Sequence, residues 1–375
     1  MPKHKLHIVS FDVPYPPTYG GVIDVYYKLK HLYEAGAEIY LHCFEYGRAH
    51  SEQLQRYCKE VWYYPRKTGI AGISLSKPYI INSRRSDLLL QRLNEINAPI
   101  LFEGVHTTYY INHPSLAHRR KAIRNHNVEW DYYRQLGNKE SELFKKIFFR
   151  TESRLLKRYE EQLNAANIFL PLSISDTGYF EKLYPKAVTQ FIAPFHPNEK
   201  VNSKTGTGTY CLYHGNLSHP ENIEAALFLA QQVFNTIDTP LIIAGSNPDE
   251  KIVAACSALH HCELVANPDD AIMQQLIQDA QIHVLPTFQP TGMKLKLLYA
   301  LFNGRHVLVN DLMLNGTGLN DLCHIALTAQ DFVATIRKLM TTPLTENDIT
   351  HRNAALLKDY NNRHNAEKLL TYLQV

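Results

Sequence analysis

A two-domain α/β protein with a doubly wound parallel sheet in each half is the fold class this sequence predicts, and three observations predict it. The chain has 375 residues, more than one core usually serves, so two domains of roughly 150 to 200 residues are expected. Short apolar runs alternate with amphipathic helical stretches along its length, the pattern of parallel strands covered by helices on both faces. Between Phe195 and Thr209 that alternation stops in a polar, glycine-containing stretch where a linker belongs.

In the first half the expected strands are Lys5 to Phe11, Glu38 to Phe44, Val61 to Tyr64, Ile100 to Val105, Ala122 to Asn125, Ile168 to Ser173 and Phe191 to Phe195. In the second they are Tyr210 to His214, Leu241 to Gly245, Glu263 to Ala266, Ile282 to Pro286, His306 to Asn310 and His324 to Leu327. The polar, helical tail offers Glu346 to Lys358 and Asn365 to Leu373. The division is therefore residues 1–195, a linker over 196–209, residues 210–345, and tail helices over 346–375 that pack back on the first domain. Two such sheets imply two Rossmann-like domains facing a cleft, with ligands bound in loops that follow strands.

Composition removes several classes. With 45% hydrophobic and 20% charged residues, disorder is a poor reading. No apolar run approaches the ~18 residues that cross a bilayer, and the first residues lack a secretory apolar stretch, so a cytoplasmic location is expected. Six scattered cysteines suit reduced thiols. Cys256, His260, His261 and Cys262 could be drawn as a zinc site, but they crowd one helix end without a second knuckle; ordinary packing is expected, and no metal. Residues 1–200 hold 28 Lys/Arg against 20 Asp/Glu, and the remainder 11 against 16. The first half thus suits an anionic ligand or surface. Nucleic acid is not expected, since no binding motif accompanies a charge of +3.

Five loops can hold a ligand. The first strand runs into Asp12-Val-Pro-Tyr-Pro-Pro-Thr-Tyr-Gly-Gly21 ahead of a helix, where Gly20 and Gly21 let amides approach an anion or simply make a tight turn. The spacing does not match the G-x-G-x-x-G dinucleotide fingerprint, which sets aside a nicotinamide oxidoreductase. Glu103-Gly-Val-His106 and Arg124-Asn-His126-Asn127-Val-Glu129 end consecutive strands, where His106 and His126 could share a hydroxyl proton and Glu103, Asn127 and Glu129 orient a sugar. In the second half, His214-Gly-Asn-Leu-Ser-His-Pro-Glu-Asn222 and Pro286-Thr-Phe-Gln-Pro-Thr-Gly-Met-Lys-Leu-Lys296 each lead from strand to helix. Lys294 and Lys296 at such a helix start can neutralise a diphosphate.

Taken in order, these motifs resemble the retaining glycosyltransferases of the GT-B fold, family-4 type, in a variant branch. Pro17-Thr-Tyr-Gly-Gly21 is similar to that family's glycine-rich first loop, and His126-Asn-Val-Glu129 to its histidine loop. Gly215, Asn216 and Asn222 fall in a variant Gly-x6-Asn segment; Thr291-Gly292-Met293-Lys294-Leu-Lys296-Leu-Leu-Tyr299-Ala300 resembles the Gly-x3-Lys-x-Leu-Glu-Ala signature. The resemblance implies a nucleotide diphosphate sugar held by the second domain and a glycan or lipid-linked acceptor held by the first, without cofactor or metal. Asn216 and Asn222 replace a phosphate-binding arginine and a lysine; Tyr299 replaces the ribose-holding glutamate, and Thr291 the earlier glutamate of E-x7-E. The alternative is a non-catalytic subunit of the same fold that binds a nucleotide sugar or a partner enzyme. The basic, aromatic stretch Phe144 to Arg158 reads first as a surface helix packing its apolar side inward, and second as a peripheral contact with an anionic membrane.

Overall fold

The computed structural model describes residues 4–289, 292 and 294–374. The chain divides into two compact units: one contains the described residues up to Pro197, Gly292, and those from Asp359 on, the other Asn198 to Gln289 and Lys294 to Lys358.

The first unit holds a parallel sheet of seven strands: β1 (His4–Ser10), β2 (Ala37–Glu45), β3 (Glu60–Pro65), β4 (Ile100–Glu103), β5 (Lys121–Asn125), β6 (Ile168–Pro171) and β7 (Val188–Thr189). Their order is β3-β2-β1-β4-β5-β6-β7. Alternate side chains of β1 and β2 face opposite layers, so Leu6, Ile8, Leu41 and Cys43 join one core while Val9 and Phe44 join the other. The last strand is a correction: the apolar run Phe191 to Phe195 is coil, and only the two residues Val188 and Thr189 pair with β6. Ile192, Ala193 and Phe195 are buried all the same, and the carbonyls of Ile192 and Ala193 accept from Arg124 rather than from a strand.

The terminal helix Asn362–Leu373 belongs to this unit, with Ala366, Leu369, Leu370 and Leu373 in the core that also holds Val25, Leu29 and Leu32 of the helix Gly20–Glu34. The Asn362 side chain fastens it by accepting the His196 amide at 3.2 Å and donating to the His196 carbonyl at 2.7 Å.

The second unit holds six parallel strands: β8 (Cys211–Asn216), β9 (Leu241–Ser246), β10 (Cys262–Ala266), β11 (Ile282–Val284), β12 (His306–Val309) and β13 (His324–Ile325), in the order β10-β9-β8-β11-β12-β13. The polar stretch after Pro197 is seated on this unit: Asn202 donates to the Phe302 carbonyl at 2.7 Å, Ser203 to Gly304 at 2.6 Å, and Gly206 pairs with Leu344. Glycine and hydroxyl groups let it run flat along the unit while satisfying the ends of its helices. The helix Glu346–Asp359 remains with the second unit through Lys358, and Arg352 donates to the Gly304 carbonyl at 2.8 Å.

Candidate functional site

In each sheet the chain first builds outward in one direction and then returns to start in the other, which opens a crevice at the carboxyl ends of two neighbouring strands. In the first unit those strands are β1 and β4; in the second they are β8 and β11. The loops after these four strands contain most of the residues singled out in the sequence.

The loop after β1 is held rigid by its own polar groups. The Asp12 carboxylate accepts from the Val13 amide and the Tyr19 hydroxyl, each at 2.8 Å, and Arg48 donates to the Val13 carbonyl at 2.8 Å, to Thr18 Oγ1 at 3.1 Å and to the Pro16 carbonyl. The Tyr15–Pro16 peptide is cis. This loop delivers Gly20 as the first residue of the helix Gly20–Glu34. Gly20 is exposed, whereas a Cβ on Gly21 would lie 2.6 Å from Phe11 Cζ. The first-turn amides of a helix have no acceptor within it and favour an anion there.

After β4, Gly104 takes a positive φ of 70°, and a Cβ on it would lie 2.6 Å from His106 Nδ1. The glycine therefore admits the imidazole against the backbone. Burial, followed by the Arg84 guanidinium and His126, pushes His106 well below the usual histidine range, so the ring is neutral near pH 7. Phe11 packs on both rings, 5.7 Å from His106 and edge-on at 5.4 Å from His126. The two histidines at the ends of consecutive strands are thus both brought against one aromatic residue.

Beneath His126 is an ion cluster that sequence spacing did not show. Lys28 Nζ stands 2.8 Å from the Asp24 carboxylate and 2.9 Å from that of Glu103, while Arg124 Nη2 donates to Asp24 Oδ1 at 3.0 Å. The Phe195 amide donates to the same Asp24 oxygen at 2.8 Å. These four side chains are almost entirely buried. Two cations against two carboxylates make the set neutral, the condition for burying charge. His126 Nε2 lies 3.5 Å from Glu103 Oε2 and has no hydrogen-bond partner among the described residues. Glu103 is consequently a correction: its buried carboxylate serves Lys28 and supports His126, and it is not open to an acceptor. Asp24, Glu103 and His126 have ligand atoms close enough for a metal ion. Lys28 already holds the cation position between the carboxylates, so these residues do not fit one.

Asn127 donates to Glu129 Oε1 at 3.4 Å. Glu129 is buried at the start of its helix, and burial, with Asp176 adding to it, pushes its carboxyl up to about 7 against the opposing Asn127 bond. Its amide donates to Glu160 Oε1 at 2.9 Å, and burial raises Glu160 well above the usual range; Asp176 is pushed up to about 6. Three carboxyl groups thus share an apolar surrounding that favours their protonated forms.

In the second unit, β8 and β9 run so close that a Cβ on Gly245 would lie 1.8 Å from the Gly215 carbonyl oxygen. The Gly215–Asn222 spacing is explained by the turn: the helix Pro220–Phe228 returns Asn222 to the end of β8, where its Nδ2 donates to the Asn216 carbonyl at 2.8 Å. Tyr213 donates to Asn222 Oδ1 at 3.1 Å, and Lys296 Nζ donates to the same oxygen at 2.7 Å and to the Tyr213 hydroxyl at 3.0 Å. Burial pushes the Lys296 ammonium down to about 8. Two of its three protons serve this network, so the third can reach an anion.

Lys294 is the cap residue of the helix Leu295–Asn303, and its ammonium donates to the Gln289 carbonyl at 3.2 Å. Tyr299 follows Lys296 by three positions, hence on the same side of that helix, and is half-buried. The Asn216 side chain accepts from the Ser218 amide at 3.1 Å and hydroxyl at 2.8 Å, so it shapes its own loop. Gly292 has a φ of 72°, which glycine tolerates and other residues resist. The expected site residues Thr291 and Met293 lie outside the described residues. Of Cys256, His260, His261 and Cys262, for which ordinary packing is expected, the two histidines gather with Asp238 and with neither cysteine; Asp238 and His260 are largely exposed, and His261 Nε2 lies 3.0 Å from the Phe234 carbonyl. All six cysteines are unbridged.

No family model matches the chain. A protein of Klebsiella pneumoniae, known as an uncharacterized 44.6 kDa protein in the cps region, is 28% identical over 334 residues, which cover 84% of this chain and 85% of that one. Among solved structures, TarM matches with a TM-score of 0.70 at 11% identity, over 99% of both chains. Sucrose-phosphate synthase of Thermosynechococcus elongatus matches at 0.68 with 13% identity, over 99% of this chain and 98% of that chain. The Anabaena protein HepE, in complex with UDP and glucose, matches at 0.62 with 11% identity over 99% of both chains. These likenesses define the fold class: two parallel-sheet α/β domains of the GT-B glycosyltransferase type. Among the described residues no helix is long and apolar enough to cross a membrane.

Proposed function

We propose that this chain is a glycosyltransferase that moves a sugar from a nucleotide diphosphate sugar to a glycan or lipid-linked acceptor, with retention at the anomeric carbon. The observation that carries the reading is Lys296, a cation held by Asn222 and Tyr213 at the switch point of the second sheet, where a parallel sheet presents its ligand site. The location of the Klebsiella relative in a cps region supports a role in polysaccharide synthesis, and the UDP and glucose of the Anabaena neighbour support the donor class.

Breaking the anomeric C–O bond leaves charge on the departing diphosphate, and stabilising that charge is the main catalytic demand. In this reading Lys294 and Lys296 neutralise it, with the amides around Gly292 as donors. The acceptor hydroxyl forms the new C–O bond on the face the diphosphate leaves, and its proton passes to a leaving phosphate oxygen. His106, neutral and pinned by Gly104, and His126 position sugar and acceptor in the first unit, with Asn127 and Glu129 beside them. No cofactor or metal is called for in this scheme.

Two observations favour a non-catalytic subunit: the Asn216 side chain is occupied by Ser218, and Tyr299 offers no carboxylate to a ribose. Calorimetric titration with nucleotide diphosphates, followed by product analysis with the matching nucleotide sugars, separates the two. Turnover that falls at least tenfold in Lys294→Ala, with the fold retained, supports the transferase; tight binding with no sugar released or transferred supports the subunit. Unchanged turnover in Lys294→Ala removes the lysine from the diphosphate site.

A further inference from the structure

The first unit exposes apolar side chains in two segments far apart in sequence. Ile70, Ile73 and Leu75 are 88%, 62% and 97% exposed, and Leu143, Phe144 and Ile147 at the start of the helix Leu143–Glu160 are 64%, 82% and 53% exposed. Lone exposed apolar residues are ordinary, whereas clustered ones mark a contact surface.

Tyr79 joins the two segments. Its hydroxyl accepts from the Gly69 amide at 3.0 Å, its backbone amide donates to Glu152 Oε2 at 2.7 Å, and its ring meets Phe148 at 6.1 Å. Asn82 adds a bond from Nδ2 to the Gly72 carbonyl at 2.9 Å. A Cβ on Gly72 would lie 2.6 Å from Tyr79 Cε2, so only glycine lets the 69–75 segment lie down on this ring. The exposed side chains are therefore displayed by a built scaffold.

The charge around them is mostly positive, with Glu142 beside Leu143 paired to Lys145 at 2.7 Å. Arg66, Lys67 and Lys77 border the first segment, with no acidic residue between 66 and 86; Lys145, Lys146 and Arg150 border the second, with none between 143 and 151. A second copy of the chain docking through the same patch would set like charges against each other. Apolar side chains within a basic rim instead match the interface of an anionic bilayer, which accepts the former among its acyl chains and attracts the latter to its headgroups.

We infer that the surface formed by residues 69–75 and 143–150 docks the first unit on an anionic lipid bilayer. The inference stands on this surface alone; it adds to the proposed transfer reaction a membrane at which a lipid-linked acceptor would be met.

Sedimentation of the full chain with vesicles tests it. Binding should be strong to phosphatidylcholine mixed with phosphatidylglycerol, weak to phosphatidylcholine alone, and reduced by salt. Leu75→Ser with Phe144→Ser should lower the partition coefficient more than tenfold. Lys145→Glu with Lys146→Glu should lower it at least about fivefold per charge. Leu327→Ser, at an exposed apolar residue of the second unit, should leave it unchanged. These side chains are exposed, so melting temperatures should hold. Equal binding to both vesicle types, insensitivity to the first two pairs of substitutions, or a concentration-dependent dimer that those substitutions dissociate would overturn the inference, whatever the outcome of the transfer assay.

Discussion

Replacing Lys296 by Met tests the anion site of the second unit where the structure is most specific. The methionine keeps the unbranched stem beside Tyr213 and removes only the ammonium that donates to Asn222 and Tyr213. A charged hydrogen bond to a phosphate oxygen contributes about 1.5 to 3 kcal/mol, so the Kd for a nucleoside diphosphate should rise about 10- to 150-fold. The lowered ionisation adds a second signature. With the ammonium pushed down to about 8, roughly nine-tenths of the wild-type lysine is charged at pH 7 and roughly one-tenth at pH 9. If the charged form binds, affinity should fall about tenfold between those values in wild type and stay flat in Lys296→Met. Calorimetry at both pH values, with melting temperatures to confirm folding, reads both effects. A variant that binds as tightly as wild type, or that shows the same pH dependence, refutes the assignment of Lys296 to the ligand.

Two predictions concern stability in the first unit. Glu129 ionises in the folded chain only near pH 7, where an exposed glutamate would have done so near its ordinary 4.5. The folded state therefore holds an extra proton between those values, and its contribution, up to ~3 kcal/mol, is present at acid pH and lost as pH rises through 7. Urea unfolding at pH 5 and pH 8 should show Glu129→Gln losing less stability than wild type over that interval, with the remaining slope due to Glu160 and Asp176; parallel losses would sink the argument. Lys28→Met leaves Asp24 with Arg124 and takes from the buried Glu103 its lysine partner, and should cost about 3 to 5 kcal/mol, read as a lowered urea midpoint. A midpoint within experimental error of wild type would show that the buried charges are compensated otherwise.

Alternating apolar runs carried most of the strand positions and the doubly wound class, because strands buried on both faces must be apolar along their length. His126 was legible for a related reason, since it directly follows an apolar run that forms a strand, and Lys296 because it opens the helix that the loop after β11 leads into. The run Phe191 to Phe195 misled because burial and strand pairing are separate requirements. Its side chains from Ile192 on are buried, but its carbonyls at Ile192 and Ala193 are taken by Arg124, which no local pattern announces. His7 and His42 are a similar case. They sit inside β1 and β2 as polar residues, yet are buried because His7 bonds His42 at 2.9 Å and His42 bonds the Tyr64 hydroxyl at 2.8 Å, across three strands.

The order of apolar, polar and glycine residues thus determined by itself which segments become strands and helices and which loops lie at their carboxyl ends, since those follow from local backbone and solvation preferences. Tertiary structure alone decided that Lys28 would reach Glu103, that Glu129 would lie beside Glu160, and that Tyr79 would bring residues 69–75 beside the helix from Leu143. Such pairings join positions tens of residues apart, and a charge or an aromatic ring acquires its ionisation or its role only from what folding places against it.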